Sequence, residues 1–339
     1  MSCKKPGPPA FCFGIIYTRT VRKVLNFKFI FYCLIILFLL CASFLLFKTK
    51  TSFHFESKKE DIKQEVSDAD IKPKQKIMFV GDIMVGRYVE TLIDKNGFDY
   101  MFASVTPMFM DTITIGNLEG PIPATHQHTS NLGFQFSFRK DIIEKLSDIG
   151  LDAVSLANNH GYDHGVAGYE NTKKVLNEVG IAYFGNYKNT VSDYFETELG
   201  GNRVIVFGIN VIVDNFDRKL AVDRVKDLSE KNPNALLVAF MHWGNEYDVV
   251  HNEYQEQLAH DLIDNGVDVI IGAHPHVVQD VGYYKGVPIY YSLGNFVFDQ
   301  YFSKNTQEGM VVLLDVVDGH IIFEQKRIKI DRSRPYFIE

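Results

Sequence analysis

Short apolar runs in this chain end directly in side chains that can hold a divalent ion or move a proton. Residues 77–80 lead into Gly81-Asp82, and residues 112–115 into Gly116-Asn117-Leu118-Glu119. Residues 153–156 lead into Ala157-Asn158-Asn159-His160, and residues 235–241 into His242-Trp243-Gly244. Residues 269–271 lead into Gly272-Ala273-His274-Pro275-His276. Carboxylate, amide oxygen and imidazole donors suit Mn, Zn or Fe better than a soft-ligand metal. A bridging carboxylate in such a set holds two ions about 3.5–4 Å apart; the pair acidifies water and clamps the oxygens of a transition state. A nearby histidine can then protonate the leaving group. Any one of these residues is more simply structural, and it is their shared position at strand ends that argues for a site. His274 and His276 stand two apart, and on extended backbone their side chains share a face, with Pro275 stiffening the pair.

Such residues need a frame that brings strand ends together. The apolar runs read as strands, and between them residues 141–149, 169–179 and 253–265 have helical spacing, stopped by Gly150, Gly180 and Gly266. From residue 287 to 330 the chain reads mostly as strands, with a hairpin turn at Asp318-Gly319. Strand–helix alternation followed by a strand-rich tail predicts an α/β domain with mixed sheets. In open α/β sheets ligands bind outside the carboxyl ends of the strands. Asp82, Glu119, Asn159, His160, His242, His274 and His276 are therefore expected at one edge.

The bulk composition sets outer bounds. The chain has 339 residues and is 46% hydrophobic, enough for a large core. A formal net charge of -7 argues against a general nucleic-acid binder. The 4 cysteines, Cys3, Cys12, Cys33 and Cys41, precede the strand–helix region, so that region has neither a disulfide nor a thiolate ligand. Residues 29–47 carry no charge and are long enough to span a bilayer as a helix. Lys48 follows them with no small-x-small cleavage pattern, so an uncleaved anchor is expected. Lys4, Lys5, Arg19, Arg22, Lys23 and Lys28 precede the run without an acidic residue, which places residues 1–28 in the cytoplasm and the main domain outside the cell membrane. Residues 48–75 read as a polar stalk, residues 76–330 as the folded domain and residues 331–339 as a tail.

The motifs, in order, resemble the CapA (poly-γ-glutamate capsule synthesis) family, which is related to the calcineurin-like metallophosphoesterases. Those that carry the resemblance are Gly81-Asp82-Ile83-Met84, Gly116 to Gly120, Ser155 to His160, His242-Trp243-Gly244-x-Glu246-Tyr247, Gly272 to His276 and Tyr291 to Phe296. The resemblance covers roughly residues 76–300. It implies two mixed β-sheets sandwiched between helices, a four-layer arrangement. It implies Asp82 as a metal ligand, Glu119 as the bridging carboxylate, Asn159 as a ligand and His160 as the general acid, with His242, His274 and His276 completing the set. Phosphoesterases often carry a histidine two residues after the first aspartate; this chain has Met84 there, so one of two metal positions lacks a ligand.

Other residues near the motifs carry further readings, and three of them carry two. Asp163 orients His160 as a catalytic partner. Trp243 either walls the site or packs beside it, and Glu246 either supports the ligands or faces substrate. Arg139 either binds a substrate carboxylate or makes a surface ion pair. Asn295 ends a strand at the same edge and lines the site. His126 and His128 read as loop surface. The expected function is metal-dependent hydrolysis in the metabolism of an anionic surface polymer such as poly-γ-glutamate, alongside capsule synthase subunits. The rival is a non-catalytic export or assembly factor of the same complex.

Overall fold

The structure, a computed structural model, describes residues 76–338 apart from 131, 132, 189, 190 and 192. The expected anchor at 29–47 and stalk at 48–75 lie outside the described residues. Among the described residues no helix is long and apolar enough to cross a membrane.

Two mixed sheets form the centre. The first is 8-stranded and built on β1 (Lys76–Ile83), β2 (Thr112–Leu118), β3 (Leu151–Ser155) and β4 (Ala182–Phe184), which run parallel. Beyond β1 it continues antiparallel through β12 (Glu308–Val317), β13 (His320–Asp331) and β14 (Arg334–Phe337). The short β11 (Asn295–Val297) also pairs parallel with β1. The second sheet is 6-stranded, in the order β5 (Tyr194–Leu199), β6 (Asn202–Asn210), β7 (Leu236–His242), β8 (Val269–Ala273), β10 (Val287–Tyr290), β9 (Val281–Tyr284). Its parallel centre, β6, β7, β8 and β10, is edged by antiparallel β5 and β9. The first sheet extends past residue 330, because Ile328 to Asp331 pair with Arg334 to Phe337 in the segment expected to be a tail.

Strand periodicity sorts the core. In β1, Ile77 and Phe79 face the second sheet, where they meet Val206, Val238 and Ile271. Met78 and Val80 face the other way, onto helices α1 (Arg87–Asn96), α4 (Lys140–Asp148) and α5 (Gly165–Val179), through Val89, Leu92, Ile142, Leu146 and Leu176. Two short helices, α2 (Phe98–Phe102) and α3 (Thr106–Asp111), add Phe102 and Phe109 to that layer. The outer face of the second sheet, with Ile205, Leu237 and Ile270, is covered by α6 (Arg218–Lys231) and α7 (Glu253–Asp264) through Ala221, Val225, Leu258 and Leu262. A strand buried on both faces reads as a continuous apolar run, which is why 77–80 and 236–241 show no alternation.

Local signals explain several element ends. Gly180 closes α5 in the left-handed conformation at φ 80°. Asn252 and Gln255 form a reciprocal capping box at the start of α7. Gly81 and Gly272 serve a different need. A Cβ on Gly81 would lie 1.8 Å from the Gly294 carbonyl oxygen, and one on Gly272 would lie 1.9 Å from that of Tyr291. Residues 291–295 therefore run against the backbone of both sheets, and this close approach delivers Asn295 beside Asp82.

Candidate metal centre

Strand register decides what meets at the carboxyl edge. In the first sheet Asp82 pairs with Asn117 on one side and Asn295 on the other, and Asn117 pairs with Ser155. In the second sheet His242 pairs with Asn210 and Ala273. Glu119 follows the end of β2, the Asn158–His160 loop follows β3, and His274 and His276 follow β8. The two sheets thus contribute opposite halves of one cluster.

Asp82, Glu119 and His242 form its heart. All are buried, and one ligand atom of each lies within 4.8 Å of the others. His276 brings Nδ1 to 3.2 Å from Asp82 Oδ2 and Nε2 to 3.5 Å from Glu119 Oε1. Asn159 Oδ1 lies 2.8 Å from His242 Nε2, the His274 backbone N–H donates to Asp82 Oδ2 at 3.4 Å, and the rings of His274 and His242 are 4.7 Å apart. His274 and His276 do not lie on extended backbone: their φ values are 97° and 58°. Both occupy a tight left-handed turn, and that turn, not strand periodicity, aims them at the centre.

His160 sits at the rim, half-buried. Its Nδ1 lies 2.9 Å from Asp163 Oδ2, and its ring stacks on Phe136 at 4.1 Å. Asp163 Oδ2 also accepts from the Phe136 backbone N–H at 2.7 Å, so the loop before α4 and the loop before α5 hold the imidazole together.

Other expected site residues stand elsewhere or act differently. Arg139 bonds Asp94 and Asp141 in surface ion pairs and does not reach the centre. Trp243 is fully buried, with its indole N–H donating to the Tyr291 carbonyl at 2.8 Å and its ring stacked on that of Tyr291; it packs beside the centre. Asn295 is also fully buried: its Oδ1 meets His276 Nδ1 at 3.1 Å and its Nδ2 donates to Gln300 and the Thr306 carbonyl. It orients His276 from behind and cannot face substrate. Glu246 is exposed near the rim, and its charge is felt at Glu119 and His274. His126 and His128 are not plain loop surface. They approach opposite oxygens of the buried Glu90 carboxylate, at 3.0 and 3.2 Å, and tie their loop to α1.

The residue that sequence reading passed over is Asn117. Its Nδ2 donates to Asp82 Oδ1 at 2.8 Å and to Glu119 Oε2 at 3.1 Å, and lies 3.4 Å from His242 Nδ1. Asn158 fixes that orientation by donating to Asn117 Oδ1 at 3.0 Å. The available signal was position, because Asn117 stands next to the last residue of β2, level with Asp82. Arg87 was also missed. Buried at a φ of 48°, it pairs with Asp299 and lies over the rings of Phe136 and Phe298, which in turn pack on His160 and His276.

Burial dominates the electrostatics. It raises Glu119 well above the usual carboxylate range, and the charge of Asp82 adds to the effect. Burial pushes Asp82 the same way, but the hydrogen bond and charge of His276, with the Asn117 amide, hold it below its ordinary value. Burial, then the charges of His274 and His276, lowers His242 well below an ordinary histidine. Burial, then the charge of His276, takes His274 from 6.5 down to about 4. Neutral imidazoles beside an ionised Asp82 are the protonation states that metal ligation requires.

The donor set fits a divalent ion. Glu119 Oε1 and His274 Nδ1 are buried without a hydrogen-bond partner among the described residues, which is costly unless another group satisfies them. Met84, in contrast, is buried in the apolar cluster with Val85 and Val89. The residues present thus fit one ion better than two.

The His274 shift gives a stability prediction for the chelated protein. Below pH about 6.5 the unfolded chain binds a proton at His274 that the folded chain refuses until pH about 4. This histidine therefore takes away stability as pH falls through that window, by about 3 kcal/mol in all. Glu119, raised on folding, acts in the opposite sense as pH rises from the usual carboxylate range. The test is the difference between the chain and His274→Gln: urea midpoints at pH 7 and pH 5 are expected to diverge less in the variant. Parallel pH profiles would remove His274 as their source.

Comparison with known proteins follows the same region. The family model for the bacterial capsule synthesis protein PGA_cap matches residues 76–300. The capsule biosynthesis protein CapA of Bacillus anthracis is 31% identical over 280 residues, covering 73% of this chain and 68% of that protein. The PGA biosynthesis protein CapA of Bacillus subtilis (strain 168) is 33% identical over 276 residues, covering 76% and 72%. Among solved structures, a hypothetical protein from Thermus thermophilus superposes with a TM-score of 0.52 at 15% identity, covering 75% of this chain and 99% of that one. A novel phosphatase from Mycoplasma pneumoniae gives 0.50 at 16% identity, covering 76% and 94%. The two structures speak to the fold.

Proposed function

Since this chain belongs to the bacterial capsule synthesis protein family, we propose that it serves the synthesis of an anionic surface polymer of the poly-γ-glutamate class through a hydrolytic divalent-metal centre. The observation that carries this reading is the buried Asp82–Glu119–His242 cluster with an unsatisfied carboxylate oxygen. Asp82, Glu119 and His242 hold the ion, with His276 and Asn159 beside them. A divalent ion, when bound, acts as a Lewis acid and lowers the pKa of water. His160 holds the departing group's proton at Nε2, because Asp163 occupies Nδ1. The ion is Mn, Zn or Fe on the chemistry of the donors.

The chain is held to the cell membrane by residues 29–47, with the folded domain outside, where a polymer leaves its synthase subunits. The length of the uncharged run and the basic residues before it support this placement.

A second reading has its own support. Met84 lies in the core, and the Asn117 amide donates into the centre, so the site has fewer ligand atoms than a two-ion hydrolase uses. On that reading the centre binds polymer or braces the domain without cutting. One experiment separates the two. The full chain in detergent micelles is chelated, reloaded with Mn or Zn, and assayed on γ-glutamyl, phosphomonoester and phosphodiester substrates. Turnover that is lost on chelation and regained on reloading is expected. Binding of a γ-glutamate polymer by the loaded protein, with no cleavage of any substrate, would replace hydrolysis with the second reading.

A further inference from the structure

Beside the centre lies a cavity of about 360 Å³, a size that small ligands fill. It is walled by Asn158, Asn159 and Tyr162 after β3, Tyr187 and Lys188 after β4, Asn210 at the end of β6, and Ile212, Val213 and Asp214 beyond it. It therefore spans the carboxyl edges of both sheets. Asn159 belongs to both spaces, since it lines the cavity while its Oδ1 meets His242.

The walls are fixed from behind. Tyr162 stacks on Tyr187 at 4.2 Å, and Tyr169 packs edge-on against Tyr187 at 4.9 Å. Asn210 donates to the Tyr187 carbonyl and accepts from the Ile212 N–H, while Asn158 is spent on Asn117, Leu118 and His160. The charged groups left to a ligand are one cation and one anion. Lys188 is exposed, with its ammonium 5.5 Å from the Tyr187 ring, and Asp214 is exposed on the opposing loop. Among the described residues neither makes an ion pair.

We propose that this cavity is a binding subsite for one unit of an N-acylated amino-acid chain, seated next to the bond at the centre. Lys188 takes the carboxylate, Asp214 accepts from the amide N–H on the same carbon, and the tyrosine stack covers the methylenes. A phosphate or sulfate fits worse, because it offers Asp214 only negative charge. A γ-linked glutamyl unit carries carboxylate and N–H together. The inference rests on the reading of the centre as one that serves a glutamyl polymer.

The test is calorimetric titration of the full chain in detergent micelles, loaded with Mn, using a short γ-linked glutamate oligomer. Lys188→Ala is expected to weaken binding about tenfold and Lys188→Glu more, while Lys188→Arg stays within about twofold. Asp214→Ala is expected to weaken it about threefold. Metal content should match the parent chain in all four. Equal binding by the parent chain, Lys188→Glu and Asp214→Ala would overturn the subsite and leave the proposed function standing. No binding by the metal-loaded parent chain would overturn both, and its metal content would show that the centre itself is intact.

Discussion

Asp82→Ala is expected to leave the purified chain without metal. Asp82 is fully buried, meets His276 at 3.2 Å, accepts from Asn117 at 2.8 Å and sits within 4.8 Å of the Glu119 and His242 ligand atoms. It is also the carboxylate held in its ionised form, whereas burial drives Glu119 towards its neutral form. The substitution thus removes the principal negative charge that would offset a dication. Loss of a residue that only orients a ligand typically lowers affinity about 10–100-fold, so loss of the ligand itself should lower it at least about 100-fold. Elemental analysis after dialysis reads the occupancy. A second readout is thermal: added Mn or Zn should raise the melting temperature of the parent chain but not of the variant, because only a folded site that binds the ion is stabilised by it. Full occupancy in Asp82→Ala, or an undiminished thermal response, would remove Asp82 from the ligand set.

His160→Ala is expected to lower turnover about 100- to 10000-fold with metal content unchanged. The imidazole lies outside the Asp82–Glu119–His242 group, half-buried at the rim, and is fixed by Asp163 at 2.9 Å and by the Phe136 ring. A group so placed would move a proton without holding the ion. Asp163→Asn separates positioning from chemistry: it keeps the size of the side chain but weakens the partner of Nδ1–H. Its expected signature is a smaller loss of turnover together with a shift in the alkaline limb of the pH–rate profile. A loss of metal in His160→Ala would instead place the residue among the ligands. Unchanged turnover would end its role as acid.

Much of this architecture could be read from local patterns. The buried strands announced themselves as continuous apolar runs, and the helices at 140–148, 165–179 and 253–264 by apolar spacing and glycine stops. Elements with a mixed pattern were missed. Helix α1 begins at Arg87 in a left-handed conformation, and α6 is largely polar, with only Ala221 and Val225 buried. The short strands β4, β11 and β14 have little sequence signature, because their pairing partners, β3, β1 and β13, define them.

The candidate site divides the same way. Its histidines and acids were legible because chemistry-bearing residues at strand ends are few, and the parallel strands at the centre of each sheet send such ends to one edge. The readings left open for Arg139 and Trp243, and the misplacement of Asn295, share another cause. Each is near the centre in sequence, but side-chain direction follows backbone dihedrals and packing, which adjacency does not reveal.

The opening motifs therefore carried the residues that meet at the centre, and the order of runs and helices carried the fold class. A side chain's type is written in the sequence, and a strand's burial in its composition. Tertiary structure alone decided that Asn117 stands between the carboxylates, that His274 and His276 turn inward on left-handed backbone, and that Asn295 lies behind His276. Register between strands distant in the chain sets which residues come level, and close passage of residues 291–295 past Gly81 and Gly272 sets what stands behind them. These are long-range steric outcomes, and no local pattern encodes them.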